Sequence, residues 1–452
     1  MIRLAYCLYR VFSTLACWCR RRFTGAGLLV LAGVFVTAAI GIDVEQTVAY
    51  QLHALLVALL GMAVVSAAFF RGRFEARRFL PRHGTAGQPL SYRVRLCNRT
   101  RRRFSGLELI EEFTEVGPDF AEFALAHRPS AEARSFRLAR QTGAAPAHRV
   151  AFPRPGVVPP LPSHGAVEVA LQIWPLRRGV LRLRGLAVAR CDPFGLFRGL
   201  IRIALPQSVT ILPKRYPVPE LSLPGSQRHQ RGGVSLASSV GESEEFVSLR
   251  DYRPGDPLRR VHWKSWPRTG RLIVKEYQDE FFVRHALVLD TFAAGGLSAV
   301  FEEAVSVAAS FACTLTTQES LLDLMFVGAE AVQFTAGRGV GQVERALELL
   351  ASVAPCHARP YARLIHLVTS HARALSGCLC VLLDWDRDRA EMVRQLRILG
   401  VPTRVLIVVE PSAAETVRAR LAEHPDVDCH LLRVGRIAED LQGIGARREA
   451  AA

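Results

Sequence analysis

Two long apolar runs open the chain. Gly25 to Ile42 carries no charge over 18 residues, and Val48 to Phe70 none over 23, with Gln51, His53 and Ser66 its few polar interruptions. Roughly 20 apolar residues cross a hydrocarbon core. The link between the runs, Asp43-Val44-Glu45-Gln46-Thr47, leaves room only for a tight turn. The pattern predicts a two-helix transmembrane hairpin within residues 1–82, with spans at about 25–42 and 48–70.

The periodicity then changes. From 83 to 215 the chain alternates apolar and polar positions: Leu90, Tyr92, Val94 and Leu96, then 107–113, 167–174, 180–189 and 201–212. A period of two bounded by Gly, Pro and Asn predicts half-buried strands in a β-rich, sandwich-like domain. The stretch 124–164 is rich in Ala, Arg and Pro and reads as a long loop, and 216–241 reads as a linker. A dense charged and aromatic segment fills 242–283. From 284 to 436 apolar strands (284–290, 321–327, 377–384, 401–409, 428–434) alternate with helical patterns (299–317, 341–354, 388–399, 413–424). That alternation predicts an α/β, doubly wound parallel sheet. Residues 437–452 are expected to fray.

Composition sharpens the picture where charge is concerned. Lys+Arg number 58 against 41 Asp+Glu, a net +17 and pI near 10.1, and only Lys214, Lys264 and Lys275 are lysines. Such a balance suggests nucleic acid. Ten of the arginines, however, lie in residues 1–82 against three acids. Arg20, Arg21 and Arg22 precede the first run, Arg71, Arg73, Arg77 and Arg78 follow the second, and the turn is acidic. The positive-inside bias places both flanks, and the N- and C-termini, in the cytoplasm. No nucleic-acid partner is expected; arginine-mediated binding stays as a third reading, to be decided by gel shift and salt dependence. The ten cysteines form no C-x-x-C and no zinc-type pairing. Cys17-Trp18-Cys19, at the membrane border, reads as a palmitoylation site or an ordinary thiol pair.

Candidate chemistry is sparse. Two strands end in acids, Asp290 and Asp384 with Asp386, where ligands of open α/β sheets bind. An Asp followed two and four residues later by hydroxyls suits a hard divalent cation, but those positions are Phe292 and Ala294. Asp290 and Asp384 are therefore a degenerate metal-site position; no metal and no cofactor are expected. In 242–283, Arg250, Arg253, Arg259 and Arg260 lie among Glu244, Glu245, Asp251 and Asp256, a composition for bidentate ion pairs. Pro254-Gly255-Asp256 is a turn sequence. The segment reads either as an ion-paired clamp or as a partner surface of Arg250, Tyr252, Gly255, Asp256, Arg260, His262, Trp263 and Lys264. A hydrolase reading takes Asp256, His262 and Ser265 as acid, base and nucleophile. No G-x-S-x-G, P-loop, H-E-x-x-H or G-x-G-x-x-G accompanies them, so no enzyme is expected.

The run E-E-F-V-S-L-R-D-Y-R-P-G-D-P-L-R-R-V-H-W-K-S-W-P-R-T-G-R-L-I-V-K-E at 244–276 resembles the signature of a bacterial family known only as domain of unknown function fifty-eight. P-L-R-R-G-V-L-R-L at 175–183, D-P-F-G-L-F at 192–197, the two apolar runs and the β-rich domain are similar to the same family. The resemblance implies a von Willebrand factor A-like domain at 284–436 and an inner-membrane location. It also implies genes encoding MoxR-type AAA+ ATPases and transglutaminase-like membrane proteins as neighbours. The expectation is a membrane-anchored scaffold or adaptor in envelope protein assembly, with a MoxR-type ATPase as partner and the bilayer contacted through residues 25–70.

Overall fold

The computed structural model describes residues 2–40, 47–113, 150–218, 246–254, 256, 258, 261–277, 284–293, 298–317, 321–337, 340–356 and 359–449. The chain divides into two compact units, 1–212 and 213–452.

The first unit begins with α1 (Ile2–Arg22), α2 (Gly25–Ile40) and α3 (Thr47–Ala68). Residues 1–24, expected only as a basic flank, hold the long helix α1. Thr24 restarts the helix by accepting the Gly27 N–H at 3.0 Å, the N-cap geometry. Among the described residues, Val48–Ala68 is the one helix long and apolar enough to cross a membrane, with a mean hydropathy of 2.0. Helix α2 has 16 described residues, about 24 Å at the helical rise. The two helices lie side by side, Gly33 facing Leu56 and Thr37 Oγ1 lying 3.1 Å from His53 Nδ1.

Among the described residues nine strands follow: β1 (Phe74–Phe79), β2 (His83–Thr85), β3 (Leu90–Asn98), β4 (Leu107–Phe113), β5 (Ala151–Arg154), β6 (Gly156–Val158), β7 (Ala166–Pro175), β8 (Gly179–Cys191) and β9 (Arg198–Leu212). They form two sheets, β1-β3-β7-β5 and β2-β9-β8-β4-β6, antiparallel except for β2 beside β9. The expected alternation is realised: Leu90, Tyr92, Val94 and Leu96 are buried with Leu107, Leu109, Leu171, Ile173 and Leu186 in one cluster fed by both sheets. Strands β5 and β6 fall in the stretch expected to be a loop, whose residues 124–149 lie outside the described residues. Arg78, counted above as a membrane flank, is instead a sheet residue. Its guanidinium, on β1, meets Glu111 of β4 at 2.5 Å, and Tyr92 of β3 donates to the same carboxylate at 2.5 Å. This buried triad spans the two sheets.

The turn Asp192–Phe197 seats the helices on the sheets. The Asp192 carboxylate accepts the N–H groups of Phe194, Leu196 and Phe197 at 2.8, 2.7 and 2.6 Å. The turn so held offers the Leu196 carbonyl to Thr24 N at 3.0 Å and packs Phe197 against Phe23, centroids 4.9 Å apart. Gly27 is needed here, because a Cβ would run into the Leu196 carbonyl.

In the second unit, β10 (Phe246–Asp251) and β11 (Ile273–Tyr277) form an antiparallel pair, with a short helix, α4 (Trp266–Thr269), between them. Then come β12 (Arg284–Leu289), α5 (Ala299–Thr317), β13 (Leu321–Val327), β14 (Ala331–Ala336), α6 (Val340–Ser352), α7 (Ala362–His371), β15 (Gly377–Leu382), α8 (Arg387–Ile398), β16 (Thr403–Val409), α9 (Ala414–Leu421), β17 (Asp428–Arg433) and α10 (Ile437–Glu449). The sheet order is β14-β13-β12-β15-β16-β17. It is mostly parallel rather than wholly so: β14 runs antiparallel to β13 at the edge. Strand β15 is buried along its whole length, as expected of a parallel strand covered on both faces. The segment expected to fray is helix α10, whose Ile437, Leu441 and Ile444 are buried at helical spacing, with Asp440 paired to Arg433 at 2.6 Å. Of the expected linker, Tyr216 donates to Glu303 on α5 at 2.5 Å and its N–H reaches Ser310 Oγ at 2.8 Å; residues 219–245 lie outside the described residues.

Candidate functional site

Chain order reverses between β12 and β15, and this switch point is where an open α/β sheet leaves a crevice at its carboxyl end. Asp290 follows β12 there and is completely buried. Its Oδ1 accepts the Phe292 N–H at 2.9 Å, and its Oδ2 accepts the Leu383 N–H at 3.1 Å and Arg389 Nε at 2.6 Å. Arg389 also donates to the Phe292 carbonyl at 3.0 Å and pairs with Asp386, which caps α8 by accepting the Arg389 N–H at 2.9 Å. The guanidinium lies over the Tyr361 ring at 5.1 Å. Burial acts against the Arg389 charge, but Asp290 outweighs it and raises the guanidinium's pKa. Burial likewise pushes the Asp290 carboxyl up, with Arg389 pulling against it.

A divalent cation does not fit this geometry. Both Asp290 oxygens are engaged by protein donors, Phe292 offers no side-chain oxygen, and Ala294 lies outside the described residues. Asp384, the other acid of the expected pair, turns away from Asp290: its carboxylate accepts the Trp385 N–H at 2.7 Å and faces Arg420 at 3.5 Å. Among the described residues no three acids, histidines or cysteines gather as metal ligands. Arg389 delivers the positive charge that a cation would otherwise supply. Its place could have been read from helical spacing: with Met392, Val393 and Leu396 it completes the buried stripe of α8. Tyr361 is the other residue of this centre not singled out above.

Beside it, α8 and the end of α9 enclose an open groove of about 880 Å³. Trp385, Arg394, Arg397, Arg420 and His424 are among its lining residues.

The 242–283 segment is built on the β10–β11 pair. Tyr252 N–H donates to the Leu272 carbonyl at 2.9 Å, and His262 N–H to that of Ile273 at 2.8 Å, so the intervening chain returns to the strands at both ends. The Arg250 guanidinium grips Asp256 with two bonds of 2.8 and 2.7 Å, and the Arg253 N–H adds a third at 2.9 Å. These contacts, Arg250 first, hold the Asp256 carboxyl down at about 2. A depressed carboxyl stabilises the fold above its ordinary pKa and loses that contribution as pH falls through its folded value. Carbon-detected NMR of Asp256 should therefore show a midpoint near 2, and Arg250→Ala should return it towards about 4.

Of the proposed hydrolase residues, His262 Nδ1 and Ser265 Oγ meet at 2.5 Å across one turn. Asp256 is engaged by Arg250 instead. Trp263 and Trp266 form an edge-to-face pair with centroids 6.1 Å apart, 54 % and 50 % exposed, and Leu258 and Lys264 are exposed as well. Trp266 was not among the expected partner residues. Gly255 and Arg260 lie outside the described residues.

Residues 248–418 match the family described as protein of unknown function DUF58. That span takes in Arg250, the tryptophan pair, Asp290 and Arg389. The chain is 32 % identical over 135 residues to the uncharacterized protein YeaD of Bacillus subtilis (strain 168), covering 29 % of this chain and 33 % of that protein. The chain thus spans about a third of that relative's length. Two solved structures share little with it: a cohesin module from a Clostridium perfringens family 33 glycoside hydrolase (12 % identity, 31 % of this chain and 98 % of that one, TM-score 0.14) and a GH20 exo-β-N-acetylglucosaminidase from Vibrio harveyi (10 % identity, 77 % and 59 %, TM-score 0.14). Scores so low carry no argument about fold or activity.

Proposed function

We propose that this chain is a bacterial inner-membrane adaptor with cytoplasmic N- and C-termini. In this reading α2 and α3 form a transmembrane hairpin, and the two β-sheets make a sandwich-like module. The 284–436 region is a von Willebrand factor A-like domain that engages a protein partner without a bound cation. The observation that carries the reading is the exposed Trp263–Trp266 pair, carried between β10 and β11 beside a turn that Arg250 and Asp256 close. Tryptophan half in water is costly unless covered, and Trp and Arg are the residues most often found at interface hot spots. The internal Arg389–Asp290 pair supports the second half of the reading, because protein donors engage both oxygens of Asp290, the buried carboxylate after β12. A MoxR-type AAA+ ATPase is the partner that the family resemblance favours, in assembly of envelope proteins.

Reciprocal pull-downs between the full chain and a MoxR-type ATPase of the same organism test this. Trp263→Ala should weaken capture by about 30-fold, the worth of a hot-spot tryptophan, and Arg250→Ala should weaken it by loosening that turn. Absence of capture, or capture indifferent to both changes, would count against the adaptor.

A further inference from the structure

Helix α1 has one strongly apolar face. Leu4, Leu8, Val11, Phe12, Leu15 and Trp18 recur at helical spacing along it, while Arg3, Arg10 and Arg21 align along a separate flank of the helix. The apolar side chains are exposed, Leu4 to 70 % and Phe12 to 66 %. No acid occurs before Asp43. The C-terminal end of α1 is fixed to the first unit: Arg22 donates to the Arg198 carbonyl at 3.2 Å, Arg21 pairs with Glu112 at 3.4 Å, and Trp18 and Phe23 pack on Phe197. Only Phe23 and Thr24 separate it from the apolar helix α2.

We propose that α1 lies in the plane of the membrane as an interfacial helix, seated on the anionic leaflet from which α2 enters the bilayer. Three observations select lipid as the occupant of its apolar face. A helix with Leu, Phe and Trp on one side, arginine along a separate flank and low overall hydrophobicity partitions to the boundary between headgroups and acyl chains. A stretch with arginines and no acids complements an anionic surface, each basic residue near it adding about 1 kcal/mol. The face is also continuous, through a two-residue break, with a helix proposed to be in the membrane. Because α1 is tied to the Asp192–Phe197 turn, its seating would hold the β-sheets of the first unit at a set orientation to the bilayer. The proposal rests on the transmembrane-hairpin reading.

Hydrogen exchange on the full chain in nanodiscs separates the two. In discs of phosphatidylglycerol and phosphatidylethanolamine, amides of residues 4–19 should exchange about ten-fold or more slowly relative to the Phe12→Glu/Leu15→Glu variant. Arg3→Gln/Arg10→Gln, or discs of phosphatidylcholine alone, should give intermediate protection. Amides of 48–68 should stay protected throughout. Fast exchange of 4–19 in the anionic discs, or protection that survives Phe12→Glu/Leu15→Glu, overturns the interfacial helix while leaving the hairpin intact. Protection of 4–19 that rises with the number of chains per disc assigns the face to a second copy and also overturns it. Exchange throughout 48–68 overturns the hairpin itself, and the proposal with it.

Discussion

Asp290→Ala should destabilise the 213–452 unit by about 3 kcal/mol, because it removes the buried counter-charge of Arg389 and leaves only the half-exposed Asp386. The loss exceeds that of an ordinary hydrogen bond, since Arg389 has almost no access to water in which to recover its solvation: its side chain is 8 % exposed and that of Asp290 0 %. Hydrogen exchange of β15 and β16 amides in the full chain reads the effect as a fall in the opening free energy of the sheet. The double variant Asp290→Ala/Arg389→Met should recover the electrostatic part of the loss, as an apolar pair replaces a buried ion pair at little net cost, while the Phe292 and Leu383 N–H groups still lack the Asp290 oxygens. A single-variant loss below about 1 kcal/mol, the scale of a solvated pair, would show that Arg389 finds water and is not an internal cation.

Glu111→Ala should have the other large effect, about 3–5 kcal/mol on the first unit, by the same mechanism at a different place. Arg78 and Glu111 have side chains 0 % and 2 % exposed, and they join strands of opposite sheets. Arg78 keeps the Leu205 carbonyl and Gln207 Oε1, each at 3.0 Å, when Glu111 is gone, and Tyr92 loses its acceptor. Those remaining bonds use one terminal nitrogen alone, leaving the other without the Glu111 oxygen and the charge without its partner. Glu111→Gln, which keeps an acceptor for Tyr92 but not the negative charge, should therefore fall between wild type and alanine. Exchange protection of β3 and β8 amides is the readout; equal protection in the alanine variant and the wild type would mean that the triad does not bind the sheets together.

These two sites also show what the amino-acid pattern could and could not reveal. Strands β3, β4, β7, β8 and β9 follow from alternation because one face of each is buried and the other wet. The same rule found the buried parallel strands as continuous apolar runs. It failed where charge had two readings. Arg77 and Arg78 resemble a topology signal next to an apolar helix, so β1 was absorbed into the membrane flank; only the partner Glu111, 33 residues later, shows that Arg78 belongs inside. Arg20, Arg21 and Arg22 hid α1 in the same way, since attention to the arginines masks the leucine and aromatic stripe between them. Helix α10 was lost because just three apolar residues, spaced at helical intervals, dock it. At the candidate site, the departure at Phe292 and Ala294 signalled a degenerate cation position. What replaced the cation is Arg389, 99 residues away; helical spacing marks it as buried on α8 but not as the partner of Asp290. The Arg250–Asp256 bond, six residues apart within a turn sequence, was legible for the converse reason.

The Arg389 guanidinium stands at the switch point where an open α/β sheet could hold a divalent ion. Calorimetric titration of Mg²⁺ and of Mn²⁺ into the full chain in nanodiscs tests it most directly, with Asp290→Asn titrated alongside to remove lipid and surface contributions. The expected result is no saturable binding of either ion up to about 10 mM, beyond the range of the weakest oxygen-ligand sites, and identical traces for wild type and variant. Stoichiometric, saturable binding that Asp290→Asn abolishes would contradict it.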